Sequence, residues 1–263
     1  MRVLRTGHII ADTVAAALEL GFLGTIPHKF LSGTIGYGIL RGNAKIFREC
    51  ESKGEPYFNV DRGYFKPNHY DGFYRVSLNG TQQTIGLDKL EPDYDRLEAL
   101  NLDIKEWRGF DWEKPVLVCA PTENVQNFFN INTSYPELWR QQAVTGEWLN
   151  GTTFHRFNSL KKVTVRIKGD SAPINFADYN YVKTFNSSVG WQALQAGIPC
   201  VSDTPHSIVG KWFENISLEN LSEAQYVDRN KLFAVMADLQ LSLEEIRAGK
   251  ICNLVEKLLA LKN

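Results

Sequence analysis

The stretch Tyr181–Asp203 reads YVKTFNSSVGWQALQAGIPCVSD, and its reading decides the fold. Val182, Thr184 and Phe185 are strand formers, and Asn186-Ser187-Ser188 are residues that end a strand and cap a helix. Val189–Gln195 predicts a helix that closes at Ala196-Gly197, where Gly197 suits a left-handed C-cap and Pro199 blocks continuation. Ile198–Ser202 predicts the next strand. A turn of this kind aims backbone N–H groups and two hydroxyls at one point at a helix N-terminus, which favours a phosphate, and a nucleotide diphosphate suits it. The commoner alternative is a βαβ turn of a parallel sheet that binds nothing.

The 263 residues, 43% hydrophobic and 22% charged, have ordinary globular composition and suffice for one large α/β domain or two small ones. No apolar run approaches the length of a membrane span, and Met1-Arg2-Val3-Leu4-Arg5 is followed by no apolar run of signal-peptide length. The expectation is a cytoplasmic protein, in the host cytoplasm if phage-encoded. Cys50, Cys119, Cys200 and Cys252 are widely separated with no CxxC spacing, and read as buried free thiols.

The net charge of −1 argues for no global nucleic-acid affinity, but charge is uneven along the chain. Arg140, Arg156, Lys161, Lys162, Arg166 and Lys168 oppose Glu147 alone between residues 140 and 168, whereas residues 88–113 are acidic. A basic stretch beside a phosphate-type turn suits an anionic ligand, and a solvated face balanced elsewhere is the alternative.

Working outward, Met1–Gly7 predicts a first strand, Ile9–Leu20 a helix stopped by Gly21, and Gly33–Leu40 a glycine-rich strand. Asn43 then caps a helix over Ala44–Ser52, and Pro56–Asp61 forms another strand. This alternation predicts a parallel sheet with helical crossovers. Arg62–Ser77 is aromatic and polar and predicts an irregular loop leading to a strand at Tyr74–Leu78. The acidic segment through Trp112 is the expected link. Pro115–Ala120 is a short apolar strand of the kind buried in a parallel sheet. A polar turn, a helix over Pro136–Leu149 and a strand at Val163–Ile167 follow, and from Ser222 the tail reads as helical. The expected architecture is α/β, with two Rossmann-like parallel-sheet halves facing across a cleft and C-terminal helices packing back. The halves are residues 1–113 and 114–221, with a helical tail over 222–263. Ligands of open α/β sheets bind beyond the carboxyl ends of the strands.

NSSVGWQALQAGIPCVSD resembles the C-terminal donor-site element of GT-B glycosyltransferase-like proteins, in which a strand ends in Asn-Ser, a helix begins and a Gly-x-Pro turn leads into the next strand. Many of these enzymes carry a glutamate on that helix that contacts the ribose of a nucleotide sugar. Here the comparable position is Gln192, whose amide can still hydrogen-bond a hydroxyl. Thr164–Gly169 (TVRIKG) resembles the Arg-x-Lys element of a group of bacteriophage and bacterial sugar transferases. Val60–Phe65, Phe73–Ser77 and Leu243–Lys250 match further segments of that group. The resemblance implies transfer of a sugar from a nucleotide-diphosphate donor, expected to be a UDP-sugar, onto a hydroxyl of a hydroxylated or hydroxymethylated pyrimidine in phage DNA. A cell-surface polysaccharide as acceptor and a non-catalytic nucleotide-binding module are the alternatives.

The roles follow from chemistry. Asn186, Ser187, Ser188 and the backbone of Val189 and Gly190 would hold the diphosphate, against simple helix capping. Arg166 and Lys168, at i and i+2 near a strand end, would neutralise the leaving nucleotide, against an exposed surface pair. Asp61 is the first choice of catalytic base because it ends an apolar strand, with His69 and Asp12 in reserve. The alternative for Asp61 is a pairing with Arg62 or Arg75 that only shapes the loop. Arg62, Tyr64 and Arg75 are candidate acceptor-binding residues, and Trp191 is either a base-stacking surface or a core aromatic. Asp93-Tyr94-Asp95 has the spelling of a metal motif but lies in the linker. The expected mechanism is metal-independent, with the nucleotide sugar as co-substrate and no other cofactor.

Overall fold

The computed structural model describes residues 1–23, 32–68, 72–109, 111, 113–130, 163–166, 173–202, 204–216 and 220–262, with only the backbone described at 40–41 and 163–166. The helix expected over Pro136–Leu149, with His69 and Lys168, lies outside them.

The protein is mixed α/β, and its chain divides into two units, Met1–Leu102 with Asn230–Asn263, and Asp103–Arg229. The division differs from the expected one: the first unit ends before the acidic link does, and most of the C-terminal tail belongs to it.

In the first unit the apolar runs form β1 (Arg2–Val3), β2 (Thr34–Tyr37), β3 (Tyr57–Arg62) and β4 (Phe73–Leu78). Helices α1 (Ile9–Leu23) and α2 (Ala44–Ser52) join the first three strands, which are parallel. The expected all-parallel sheet is corrected beyond β3. The described residues of the link to β4 carry no crossover helix, and β4 pairs antiparallel with β3, as a short connection allows. The fifth strand, β9 (Gln240–Ser242), comes from the tail that the sequence predicts as helical, and pairs antiparallel with β4.

Two further local departures have physical causes. Gly21 does not stop α1. It lies within the helix, where a Cβ would stand 2.1 Å from the Ile246 carbonyl oxygen, so glycine is what lets the neighbouring backbone approach. The strand read to Leu40 ends at Tyr37, and a π-helical turn, Ile39–Asn43, leads into α2. Asn43 accordingly does not cap: its Nδ2 donates to the Tyr37 carbonyl at 2.9 Å.

In the second unit β5 (Val116–Cys119), β6 (Val163–Arg166), β7 (Val182–Thr184) and β8 (Cys200–Ser202) form an all-parallel sheet in the order β6-β5-β7-β8. Its core gathers Val116, Val118, Tyr181, Phe185, Val201 and Leu221. Between the strands run α4 (Glu123–Phe128), α5 (Val189–Gln195) and, after β8, α6 (Ile208–Trp212). Helix α3 (Tyr94–Ala99) belongs to the first unit, as do α8 (Leu243–Arg247) and α9 (Lys250–Ala260), while α7 (Arg229–Asp238) begins at the boundary. All four cysteines are buried free thiols. No described helix is long and apolar enough to cross a membrane.

Candidate functional site

The strand order of the second unit marks a candidate site. From β5 the chain crosses to β6 on one side, and β7 then lies against the opposite side of β5. The crossovers therefore diverge between β5 and β7, and in open α/β sheets the crevice at such a switch point is where ligands bind. The loops that leave its carboxyl edge are Ala120-Pro121-Thr122 and Phe185-Asn186-Ser187-Ser188. The register aligns the strand ends: Arg166 pairs with Cys119, Cys119 with Thr184, and Thr184 with Ser202. The backbone thus puts Arg166 at the same carboxyl edge, on the strand beside β5.

Local hydrogen bonds hold the second loop in shape. The Ser187 N–H donates to Thr184 Oγ1 at 3.1 Å, and Ser202 Oγ donates to the Phe185 carbonyl at 2.5 Å. Ser187 itself is the capping residue: its Oγ accepts the Val189 N–H at 3.3 Å and its carbonyl the Gly190 N–H at 3.0 Å. The N–H groups of Val189 and Gly190, expected on a diphosphate, are engaged by Ser187 in this structure. Gly190 serves packing, since a Cβ there would stand 3.2 Å from both Cys200 Sγ and Thr184 Cγ2. The Val189 side chain and Trp191 are buried, which places Trp191 in the core.

Ser188 and Gln192 remain presented to solvent. Both are exposed, Ser188 just before α5 and Gln192 one turn into it, and the Gln192 N–H donates to the Ser188 carbonyl at 3.2 Å. Ser188 makes no side-chain cap bond. Nor does Thr122, the N-cap residue of α4. Elsewhere the same residue types do cap: Ser207 Oγ accepts from Gly210 and Ser242 Oγ from Glu245. Among the described Ser and Thr N-cap residues, the two whose hydroxyls do not cap are the two that flank the switch point. Asn186 lies half-buried beside them. Thr122 was not singled out from the sequence, although Pro121-Thr122-Glu123 after an apolar strand carries an N-cap signal.

In the first unit the carboxyl ends of parallel strands β1, β2 and β3 gather the other candidates. Asp61 pairs across the ladder with Arg75, whose Nη2 donates to its Oδ2 at 2.8 Å, and Asp61 Oδ1 accepts the Arg62 N–H at 2.8 Å. Arg75 also donates to the Arg62 carbonyl at 2.9 Å and lies over the Tyr64 ring at 5.3 Å. The pairing that shapes the loop is therefore present at Asp61. Tyr64 is corrected from an acceptor-binding surface to a core residue: it is buried, its oxygen accepts the Gln83 N–H, and burial pushes its phenol up to about 12. Arg75 is largely buried as a clamp, which leaves Arg62 as the exposed member of that trio.

The reserve acid, Asp12, is also occupied locally, its Oδ1 accepting the N–H groups of Thr6 and Gly7 at 3.2 and 3.3 Å. Around it lie polar atoms that the sequence did not flag. Thr6 Oγ1, His8 Nδ1 and Asn43 Oδ1 are buried without hydrogen-bond partners. They stand on the loop after β1 and on the π-helical turn after β2, and a Cβ on Gly42 would lie 3.8 Å from Thr6 Cγ2. Buried polar atoms normally find partners, and π-helical turns recur at functional sites. Among the described residues no three of His, Cys, Asp and Glu are grouped to hold a metal ion.

Compared with models of known protein families the chain matches none, and no curated protein matches it either.

Proposed function

We propose that the protein is a GT-B-like glycosyltransferase. Its second unit would hold a nucleotide-diphosphate sugar, taken to be a UDP-sugar, and its first would receive the acceptor. The observation that carries this reading is the pair of non-capping hydroxyls, Thr122 and Ser188, on the two loops that flank the β5/β7 switch point. A donor there would meet two hydroxyls, the exposed amide of Gln192 and the strand end that bears Arg166. Such groups suit phosphate and ribose, and a guanidinium offsets charge that builds on a departing diphosphate. The two Rossmann-like halves of a GT-B enzyme are part of the same reading. The acceptor, a hydroxyl on a modified pyrimidine of phage DNA, rests on the resemblance of the sequence motifs. The unpartnered Thr6, His8 and Asn43 atoms favour a neutral, hydroxyl-bearing group in the first unit.

A non-catalytic nucleotide-binding module is the second reading, favoured by the local partners that Asp61 already has. One experiment separates the two. The protein is incubated with a panel of nucleotide sugars and hydroxymethylated DNA, and the nucleosides are then weighed by intact-mass analysis. A sugar-sized mass increment with release of the nucleotide supports transfer. Calorimetric binding of UDP with no increment on DNA or saccharide acceptors supports the module, and absence of nucleotide binding overturns both.

A further inference from the structure

The chain passes between its two units twice, at Leu102/Asp103 and at Arg229/Asn230. On the second unit's side both passages are fastened to the same end of one helix, α5. The first passage, residues 103–108, is bonded to the C-terminal end of α5 and the turn after it. The Lys105 N–H donates to the Gln195 carbonyl at 2.8 Å and the Arg108 N–H to the Gly197 carbonyl at 2.9 Å, while Gln195 Nε2 reaches the Asp103 carbonyl at 3.3 Å. The fit is close, since a Cβ on Gly197 would stand 2.0 Å from the Glu106 carbonyl oxygen.

Arg229 joins the second passage to the first. Its Nη1 donates to the Leu194 carbonyl at 2.8 Å and its Nη2 to the Lys105 carbonyl at 2.7 Å. Its guanidinium lies 4.4 Å from the centre of the Trp107 ring, and the residue is 92% buried by its 8% exposure. A buried guanidinium carries a desolvation cost, and burial lowers the pKa of Arg229 from its ordinary value. Its bonds to two carbonyls and its place over an indole offset that cost.

We infer that α5 couples the nucleotide site to the two interunit passages, with Arg229 as the positioning residue that makes them respond together. This rests on the proposed nucleotide site. Ser188 is the N-cap residue of α5 and Gln192 its middle residue, while Leu194 and Gln195 are its last two and Gly197 follows its C-cap. A helix of seven residues is too short to bend between its ends without losing its own hydrogen bonds. A ligand that orders its first turn therefore also orders the carbonyls that hold residues 103–108 and Arg229. Coupling of this kind needs a differential effect of the ligand on an element that both sites share.

Hydrogen–deuterium exchange on the full chain, with and without UDP, tests this. Saturating UDP is expected to slow exchange around residues 186–192 and, by about tenfold, at residues 103–108. In Arg229→Met the protection at 186–192 is retained and that at 103–108 is lost. A purely structural Arg229 would instead raise exchange at 103–108 equally with and without UDP, and that outcome overturns the inference. Protection confined to 186–192 in the unsubstituted protein overturns it while leaving the nucleotide site standing. No UDP binding at all overturns the site and the coupling with it. Should Arg229→Met fail to fold, Gln195→Ala, which removes only the bond to the Asp103 carbonyl, is expected to weaken the protection at 103–108.

Discussion

Arg96 holds both carboxylate oxygens of Glu245, Nη1 to Oε1 at 2.8 Å and Nη2 to Oε2 at 2.9 Å, and so joins α3 to the first turn of α8. Burial opposes the charged form of Glu245, but the bonds from Arg96, the Ser242 N–H and Lys250 prevail and bring its carboxyl down to about 2. A carboxyl whose folded value lies below its unfolded value stabilises the fold above the unfolded value and loses that contribution as pH falls through the folded one. Stability is therefore expected to decline between about pH 4.5 and 2. In Glu245→Gln that part of the decline is absent, as urea titrations at several pH values will report.

Gly21→Ala sets two effects against each other. Alanine in a helix interior gains about 0.5–1 kcal/mol over glycine. The new Cβ would stand 2.1 Å from the Ile246 carbonyl oxygen, and backbone cannot give way there as a flexible side chain would. Overpacking of this kind costs about 1–3 kcal/mol, so a net loss of stability is expected in thermal or urea unfolding.

Gly197→Ala and Gly190→Ala are expected to differ. Gly197 has φ 77° and would put a Cβ 2.0 Å from the Glu106 carbonyl oxygen, a combined penalty of about 3 kcal/mol or more. Gly190 is helical and its nearest contacts are side-chain atoms at 3.2 Å, so about 1 kcal/mol is expected. Equal midpoints in urea for the two variants would contradict this.

Ser188→Ala and Gln192→Ala change exposed groups that do not cap, so unfolding midpoints should move by less than about 0.5 kcal/mol. Affinity for UDP should fall by about 3–10-fold for each, in keeping with a hydrogen bond worth about 1 kcal/mol. Calorimetry that finds unchanged affinity in both would remove them from the site.

Asp61→Asn and Arg75→Met address the clamp. Each is expected to cost about 1 kcal/mol, and the double variant less than the two combined, because they break one pairing. Transfer that survives Asp61→Asn assigns Asp61 to loop shaping, whereas a loss of about 100-fold or more with the fold intact assigns it a proton-transfer role.

The opening stretch shows how far the sequence reaches. Strand formers, a small polar turn, a seven-residue helix, Gly197 and Pro199 are all local signals, and the helix forms over Val189–Gln195 as predicted. Local signals likewise placed α2 at Ala44–Ser52. The same kind of signal misjudged Gly21 and Asn43. Gly21 answers to a helix far along the chain and Asn43 to the end of β2, and no local pattern reports either.

The sequence by itself determined the helices at Ala44–Ser52 and Val189–Gln195 and the small polar turn after β7, because these follow from propensity and capping within a few residues. Tertiary structure alone decided the strand order that makes β5/β7 a switch point, the return of Gln240–Ser242 to the first sheet and the pairing of Asp61 with Arg75. It also decided that Thr122 and Ser188 keep hydroxyls free of capping duty, with Ser187 capping α5 in place of Ser188. Each of these depends on which distant segments meet, and that is settled by burying apolar surface across the whole chain.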